Sequence, residues 1–214
     1  MHSIKKASSP AFQHPVDSLT EHDIAQCLQS AFQRPTQDIP AVLAADQYRQ
    51  AAVLAPLIRD GGRWHLLFIR RAVQEGDHHS GQVAFAGGKR EEQDRNLHET
   101  ALRETWEEIG VRPRHVRILG ELPPHHSVSR FRITPVVGCM PWPYPLVLQR
   151  SEVGRTFTIP LAWLADPANH ELRDRLLAPG TQPVRVPYFR EYDGELLWGA
   201  TARMTLSLVN LLQG

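Results

Sequence analysis

Residues 87–111 read Gly87-Gly88-Lys89-Arg90-Glu91-Glu92-Gln93-Asp94-Arg95-Asn96-Leu97-His98-Glu99-Thr100-Ala101-Leu102-Arg103-Glu104-Thr105-Trp106-Glu107-Glu108-Ile109-Gly110-Val111. The pattern predicts a glycine turn, an acidic loop and a helix over residues 96–109. The last two turns of that helix carry Glu104, Glu107 and Glu108. Residues four apart share a helix face, so Glu104 and Glu108 stack, with Glu107 beside them. Like charges at this spacing destabilise an isolated helix by roughly a few tenths of a kcal/mol. The macrodipole also disfavours negative charge near a helix C-terminus. Helix propensity therefore does not ask for the arrangement. A bound divalent cation accounts for it, because hard cations take oxygen ligands from clustered carboxylates.

The other face of the helix agrees with this. Leu102, Trp106 and Ile109 fall on one stripe, flanked by Ala101 and Thr105, and that stripe is expected to pack on the core. Arg103 can pair with Glu107 ahead of it and Glu99 behind it, both at i,i+4 spacing. Gly110 is a C-cap candidate, and Pro113 stops continuation. A solvated acidic face is the bland reading of an Arg-Glu-x-x-Glu-Glu string taken alone. The glycine pair upstream and the Gly-Val exit favour the metal reading.

The 214 residues fit an N-terminal arm and helix over 1–45 and a main domain over 46–214. The formal net charge of +1 points to neither nucleic acid nor a membrane surface as partner. Cys27 and Cys139 have no metal-type spacing and read as buried thiols of a reducing compartment. No apolar run reaches transmembrane length, and no hydrophobic segment follows Lys5 and Lys6, so the expected location is the cytoplasm.

Outward from the central stretch, Ser18 or Thr20 can cap a helix over 20–33, with Ile24, Cys27, Leu28, Ala31 and Phe32 as its apolar face, ended by Pro35. Strands are expected over 51–58 and 64–69, joined by the Asp60-Gly61-Gly62 turn, with Pro56 implying an edge or a bulge. Further extended pieces are expected at 82–85, 116–121, 132–139, 156–159, 184–188 and 196–198. A short helix starts near 160–165, and an amphipathic helix over 200–212 closes the chain. His78-His79 and His125-His126 read as solvated loop residues. Adjacent histidines rarely chelate one metal, so zinc is not expected. Trp142 and Tyr144 read as core packing. Together these elements imply a mixed β-sheet between helices, an α/β/α sandwich whose strand order periodicity does not fix.

The 87–111 stretch resembles the signature box of the Nudix hydrolases: a glycine, five residues, an acidic residue, then Arg-Glu-x-x-Glu-Glu-x-Gly-hydrophobic after an interval. Gly88, Asp94, Arg103, Glu104, Glu107, Glu108, Gly110 and Val111 take those positions. The interval from Gly88 to Arg103 is one residue longer than the general pattern, and Thr105 replaces a hydrophobic residue. The longer interval is similar to the coenzyme A pyrophosphatase-like branch. Gly81, Phe85, Gly87 and Gly88 also match the extra motif of that branch. Ala86 replaces its proline, and Asp77 stands where it has an arginine. Ala51-Ala52-Val53, Pro135 to Gly138 and Trp198 to Ala202 extend the likeness over about residues 50–212.

The resemblance implies a Nudix-type α/β/α sandwich and hydrolysis of a pyrophosphate bond with Mg²⁺ or Mn²⁺. The metal would rest on Glu104, Glu107 and Glu108, with a carbonyl near Gly88 as a further ligand. Glu107 and Glu152 are the two candidates for general base, and Arg103 holds one carboxylate in place. Gly87 lets backbone approach the phosphates, and Arg70, Arg71 and Lys89 are candidate phosphate contacts. The partner is a small-molecule nucleotide, with coenzyme A or an acyl derivative as first candidate. The Asp77 reversal predicts weak activity on coenzyme A. ADP-ribose, NADH and dinucleoside polyphosphates are alternative substrates. A non-catalytic nucleotide-sensing domain is the reading of another class, and a homodimer stays open.

Overall fold

The computed structural model describes residues 14–31, 47–74, 76, 80–127, 129–176 and 182–214. Phe32, Pro35, Asp77 and the His78-His79 pair lie outside them. Thr20 caps α1 (Glu21–Gln29): its hydroxyl accepts from the Asp23 N–H at 3.2 Å, while the Asp23 carboxylate accepts from the Thr20 N–H at 2.8 Å. The helix ends at Gln29, short of the expected 33. Ile24 and Leu28 are its buried residues.

The sheet follows. In chain order its strands are β1 (Arg49–Asp60), β2 (Arg63–Arg71), β3 (Val83–Ala84), β4 (Gly87–Lys89), β5 (Arg117–Glu121), β6 (His125–His126), β7 (Phe131–Cys139) and β8 (Val153–Pro160). The main path runs β3-β2-β1-β7-β5, with β4 on β1, β6 on β7 and β8 on β2. The sheet is mixed because β1 and β7 are parallel, while β1 pairs antiparallel with β2 and β4. β9 (His170–Arg175) and β10 (Val184–Phe189) form a separate antiparallel ribbon. The remaining helices are α2 (Leu97–Ile109), α3 (Leu161–Ala165) and α4 (Gly199–Gln213).

Alternation along the strands sorts the core into two layers. Ala55 and Leu57 of β1 and Trp64, Leu66 and Phe68 of β2 pack with the buried sides of α1, α3 and α4. Ala52 and Leu54 of β1 and Val136 of β7 meet Ala101 of α2 on the opposite face. Leu67 and Ile69 continue that face towards Ile109. Helices on both faces of a mixed sheet make the expected α/β/α sandwich.

Several elements differ from the sequence reading. Gly87-Gly88 is not a turn but the start of β4, with Gly87 opposite Val53 and Gly88 opposite Ala52. Pro56 lies in the interior of β1, flanked by β7, and marks neither an edge nor a bulge. The Leu54 N–H donates to the Ala86 carbonyl, so by alternation the Pro56 nitrogen faces the same side. There the β4 pairing ends at Val53 and the β2 pairing begins at Leu57, so no ladder donor is missed. His125-His126 is a short strand on β7, not a solvated loop. His125 is buried, and the His126 ring lies 4.7 Å from that of Tyr48. Residues 196–198 form no strand; only isolated bridges, Tyr188 to Trp198 and Tyr192 to Glu195, occur there.

Helix α1 is seated through Gly120 of β5. A Cβ at Gly120 would lie 2.8 Å from Leu28 Cβ and 3.2 Å from its Cδ1. Gly120→Ala is therefore expected to push α1 outward and cost about 1–3 kcal/mol in urea unfolding. A loss below about 0.5 kcal/mol would show that α1 does not depend on this contact.

Candidate active site

The glycine pair owes its identity to close approach. A Cβ on Gly87 would sit 2.4 Å from the Ala52 carbonyl oxygen, and one on Gly88 would sit 2.5 Å from Glu104 Oε1. Only glycine lets β4 lie between β1 and α2. The Gly87 N–H donates to Glu108 Oε2 at 3.3 Å.

Asn96 caps α2, its side chain accepting from the Glu99 N–H at 3.0 Å, and Gly110 closes the helix at φ 74°. The buried residues are Thr100, Ala101, Thr105, Glu108 and Ile109. Trp106 was expected inward but is 55% exposed. The inward stripe is centred on Ala101, Thr105 and Glu108, which leaves Trp106 beside a shallow outer groove lined also by Tyr144 and Val147. Thr105 is tolerated in the core because its hydroxyl donates to the Ala101 carbonyl at 2.6 Å.

Arg103 organises the charges. Its Nε and Nη2 donate to the two oxygens of buried Asp94 at 3.0 Å each, and Nη1 donates to Glu104 and to Glu107 at 3.0 Å each. Asp94 also accepts from the Thr100 hydroxyl and the Glu91 N–H, both at 2.9 Å. The Arg103 guanidinium in particular holds the Asp94 carboxyl down at about 2. Glu99 does not pair with Arg103 as expected; Arg95 holds it.

Glu104 and Glu108 are left crowded. Burial, then Glu104 and Glu152, push the Glu108 carboxyl up to about 8, against the Gly87 N–H and Arg71. Burial raises that of Glu104 as well; Arg103 opposes this, while Glu107 and Glu152 add to it. Thus Glu104, Glu108 and Glu152 are mutually close. Glu107 is exposed and turned to Arg103. Among the described residues, no group of three or more His, Cys, Asp or Glu side chains is already closed to metal-binding geometry.

A strap after the proline-rich connection delivers Glu152. The Val147 N–H donates to the Ile109 carbonyl at 3.0 Å and the Gln149 N–H to the Glu108 carbonyl at 2.8 Å, satisfying two acceptors at the end of α2. The Gln149 carbonyl then accepts from the Glu152 and Val153 N–H groups at 2.9 and 2.8 Å.

A cavity of about 520 Å³ opens beside this cluster. Gly88, Lys89 and Arg71 line its near end, as does His125. Arg70 does not line it: its guanidinium lies 3.6 Å from buried Glu195, which Arg155 also approaches at 3.3 Å. Arg175, Trp198, Thr201 and Arg203 line it as well. The sequence reading did not single these out as site residues, because the near-continuous polarity of β9 carries no strand period.

A family profile described as NUDIX domain matches residues 48–174. The chain is 36% identical over 160 residues to the uncharacterized Nudix hydrolase NudL of Salmonella paratyphi B, covering 75% of this chain and 81% of that protein. The NudL of Salmonella newport gives the same figures. A MutT/nudix family protein from Enterococcus faecalis shares the fold at TM-score 0.50 and 15% identity, over 87% of this chain and 68% of that one.

Asp94 supplies a test of the charge network. Its folded carboxyl titrates at about 2, below the ordinary 3.8, so the stability it contributes is present above pH about 4 and is lost as the pH falls through about 2. Asp94→Asn is expected to cost about 2 kcal/mol at pH 7, with the gap to wild type narrowing as denaturation is repeated towards pH 3. A gap independent of pH would mean that the ion pair is not its source.

Proposed function

Since the chain belongs to the Nudix family of hydrolases, we propose that it cleaves the pyrophosphate bond of a nucleoside diphosphate derivative with Mg²⁺ or Mn²⁺, and that coenzyme A or an acyl-coenzyme A is its substrate. The observation that carries the reading is the carboxylate pair of half-buried Glu104 and buried Glu108. Glu104 and Glu108 repel each other, Glu152 adds to the charge, and Arg103 answers only the outer side of the group. Such a donor set is all hard oxygen, which suits a divalent cation better than a thiol- or imidazole-preferring metal.

Glu104 and Glu108 would hold the cation, with the backbone carbonyls of the Gly87-Gly88 strand at their side. When bound, it would neutralise phosphate oxygens and lower the pKa of a water. The chain's own groups do the rest. Arg103 fixes the rotamer of Glu104. Lys89 and Arg71, at the mouth of the cavity, neutralise the anhydride oxygens. Glu152 accepts the proton of the attacking water, a new P–O bond forms at one phosphorus, and the anhydride P–O bond breaks with its electrons leaving on the bridging oxygen, so that each half departs as a phosphomonoester. Glu152 is preferred to Glu107 as base because it stands beside Glu104 and Glu108, whereas Glu107 is occupied by Arg103 at 3.0 Å on the exposed side. Hydrolysis of coenzyme A would give adenosine 3′,5′-bisphosphate and a phosphopantetheine product.

A hydrolysis screen over coenzyme A, acyl-coenzyme A, ADP-ribose, NADH and dinucleoside polyphosphates, with products identified by mass, tests the assignment. Turnover is expected with Mg²⁺ or Mn²⁺ and not with a chelator. Glu108→Gln is expected to lower kcat by about a hundredfold or more. The same variant should melt no lower than wild type in chelator, because the amide cannot take on the charge that burial disfavours at this position. Full turnover by Glu108→Gln rejects the metal assignment. For the base, Glu152→Gln should lower kcat by about a hundredfold with little change in KM, and Glu107→Gln by clearly less. The reverse order would return the role to Glu107.

A further inference from the structure

Glu195 is a buried carboxylate with no part in the hydrolysis described above. It ends a tight two-residue turn: Asp193 and Gly194 have φ 53° and 76°, and Tyr192 and Glu195 exchange backbone hydrogen bonds at 3.0 Å each. The Tyr192 ring packs edge-on against Trp163 at 4.9 Å, which seats the turn. From there the Glu195 side chain reaches two cations. Its Oε1 lies 3.6 Å from Arg70 Nη1 and 3.3 Å from Arg155 Nη1. The same oxygen accepts no hydrogen bond. Glu195 therefore supplies charge rather than a directional bond.

The two arginines stand directly opposite each other, Arg70 on β2 and Arg155 on β8. Like charges at opposed positions of an antiparallel pair push the strands apart. Asp193 answers Arg155 from the exposed side of the turn. Among the described residues, Arg70 has an ion pair with no carboxylate but Glu195.

This pair is the last regular one between the two strands. The next partners are Arg71 and Val153, which leaves Gly154 as the extra residue of a β-bulge. Just past the bulge, the Ala72 N–H donates to the Glu152 carbonyl at 2.7 Å, and Arg71 lines the cavity. The closure of β2 on β8 at Arg70 and Arg155 thus precedes both a candidate phosphate contact and the candidate base. We propose that Glu195 is a positioning residue: by offsetting the repulsion between Arg70 and Arg155 it keeps the strands shut at the bulge and so holds Glu152 beside Glu104 and Glu108. Its effect on turnover rests on the hydrolysis proposed above, with Glu152 as base; its effect on the strands does not.

Kinetics and hydrogen exchange test this together. Glu195→Gln is expected to lower kcat about tenfold or more, measured well below its melting temperature. Removing the opposed cation should relieve the defect, so that R70Q/E195Q, like R70Q alone, stays within about threefold of wild type. In an E152Q background, E195Q should change kcat by less than about twofold, because the group it positions is gone. The Ala72 amide, bonded to Glu152, should exchange about tenfold faster in E195Q and at the wild-type rate in R70Q/E195Q, with the Ile24 amide of α1 unchanged throughout. A Glu195 that only stabilises the fold would leave the double variant no better than the single one, and a Glu195 that touches substrate would equally resist rescue by R70Q. Either result, or an unaltered Ala72 amide in E195Q, overturns the proposal. Should wild type turn over no pyrophosphate, the exchange rates still decide the role of Glu195, and only the hydrolytic reading falls.

Discussion

Glu104 and Glu108 face each other across one helical turn, and burial strengthens their repulsion because little water screens it. The surrounding structure has to hold them there against that force. Asp94 does so indirectly. It is buried and bonded to Arg103, Thr100 and the Glu91 amide, so it fixes the guanidinium that in turn grips Glu104. The ion pair is thus the anchor of the acidic loop as well as of the helix. Without it, the loop that follows β4 and the first turns of α2 would lose their shared contact.

Backbone supplies the second restraint. β4 can enter the space between β1 and α2 only because Gly87 and Gly88 carry no Cβ. From there the Gly87 amide reaches Glu108. At the other side, the strap from Val147 to Val153 bonds the last carbonyls of α2 and carries Glu152 to the same point. The carboxylates are therefore held by three separate segments of sequence. β4 and the strap are fixed by main-chain hydrogen bonds, and α2 by the packing of Ala101 and Ile109 together with the Arg103–Asp94 pair.

Much of this was legible in the sequence. The N-cap of α1, the C-cap of α2 and the hairpin of β1 and β2 each follow from local residues (Thr20, Gly110 and Asp60 to Gly62), and the terminal helix follows from its apolar period. The identity of the acidic cluster follows from spacing along one helix. Other features depended on tertiary context. Trp106 fits an inward stripe by period, yet the buried face of α2 is centred on Ala101, Thr105 and Glu108, which turns Trp106 outward. Pro56 reads as an edge residue, yet a change of partner along β1 leaves its missing donor without consequence. Arg70 and Arg71 are equivalent in sequence; strand alternation sends one to Glu195 and the other to the cavity. The part of the cavity lined by Arg175 and Arg203 was not read from the sequence because it joins β9 and α4, nearly thirty residues apart, and β9 bears no motif.

The separation of the carboxylates from the basic cavity lining explains why the chain's near-zero net charge says little about its ligand. Negative charge is concentrated at Glu104, Glu108 and Glu152, and positive charge lines the space beyond Gly88. Opposite charges kept apart in this way create a local field that averaging over the molecule conceals. An anionic ligand entering the cavity meets repulsion from the carboxylates unless a cation shields them, and attraction along the rest of its length. Binding of the ligand body and loading of the metal are then separable events. Under the proposed function, the basic lining would hold the ligand body and the carboxylates the cation.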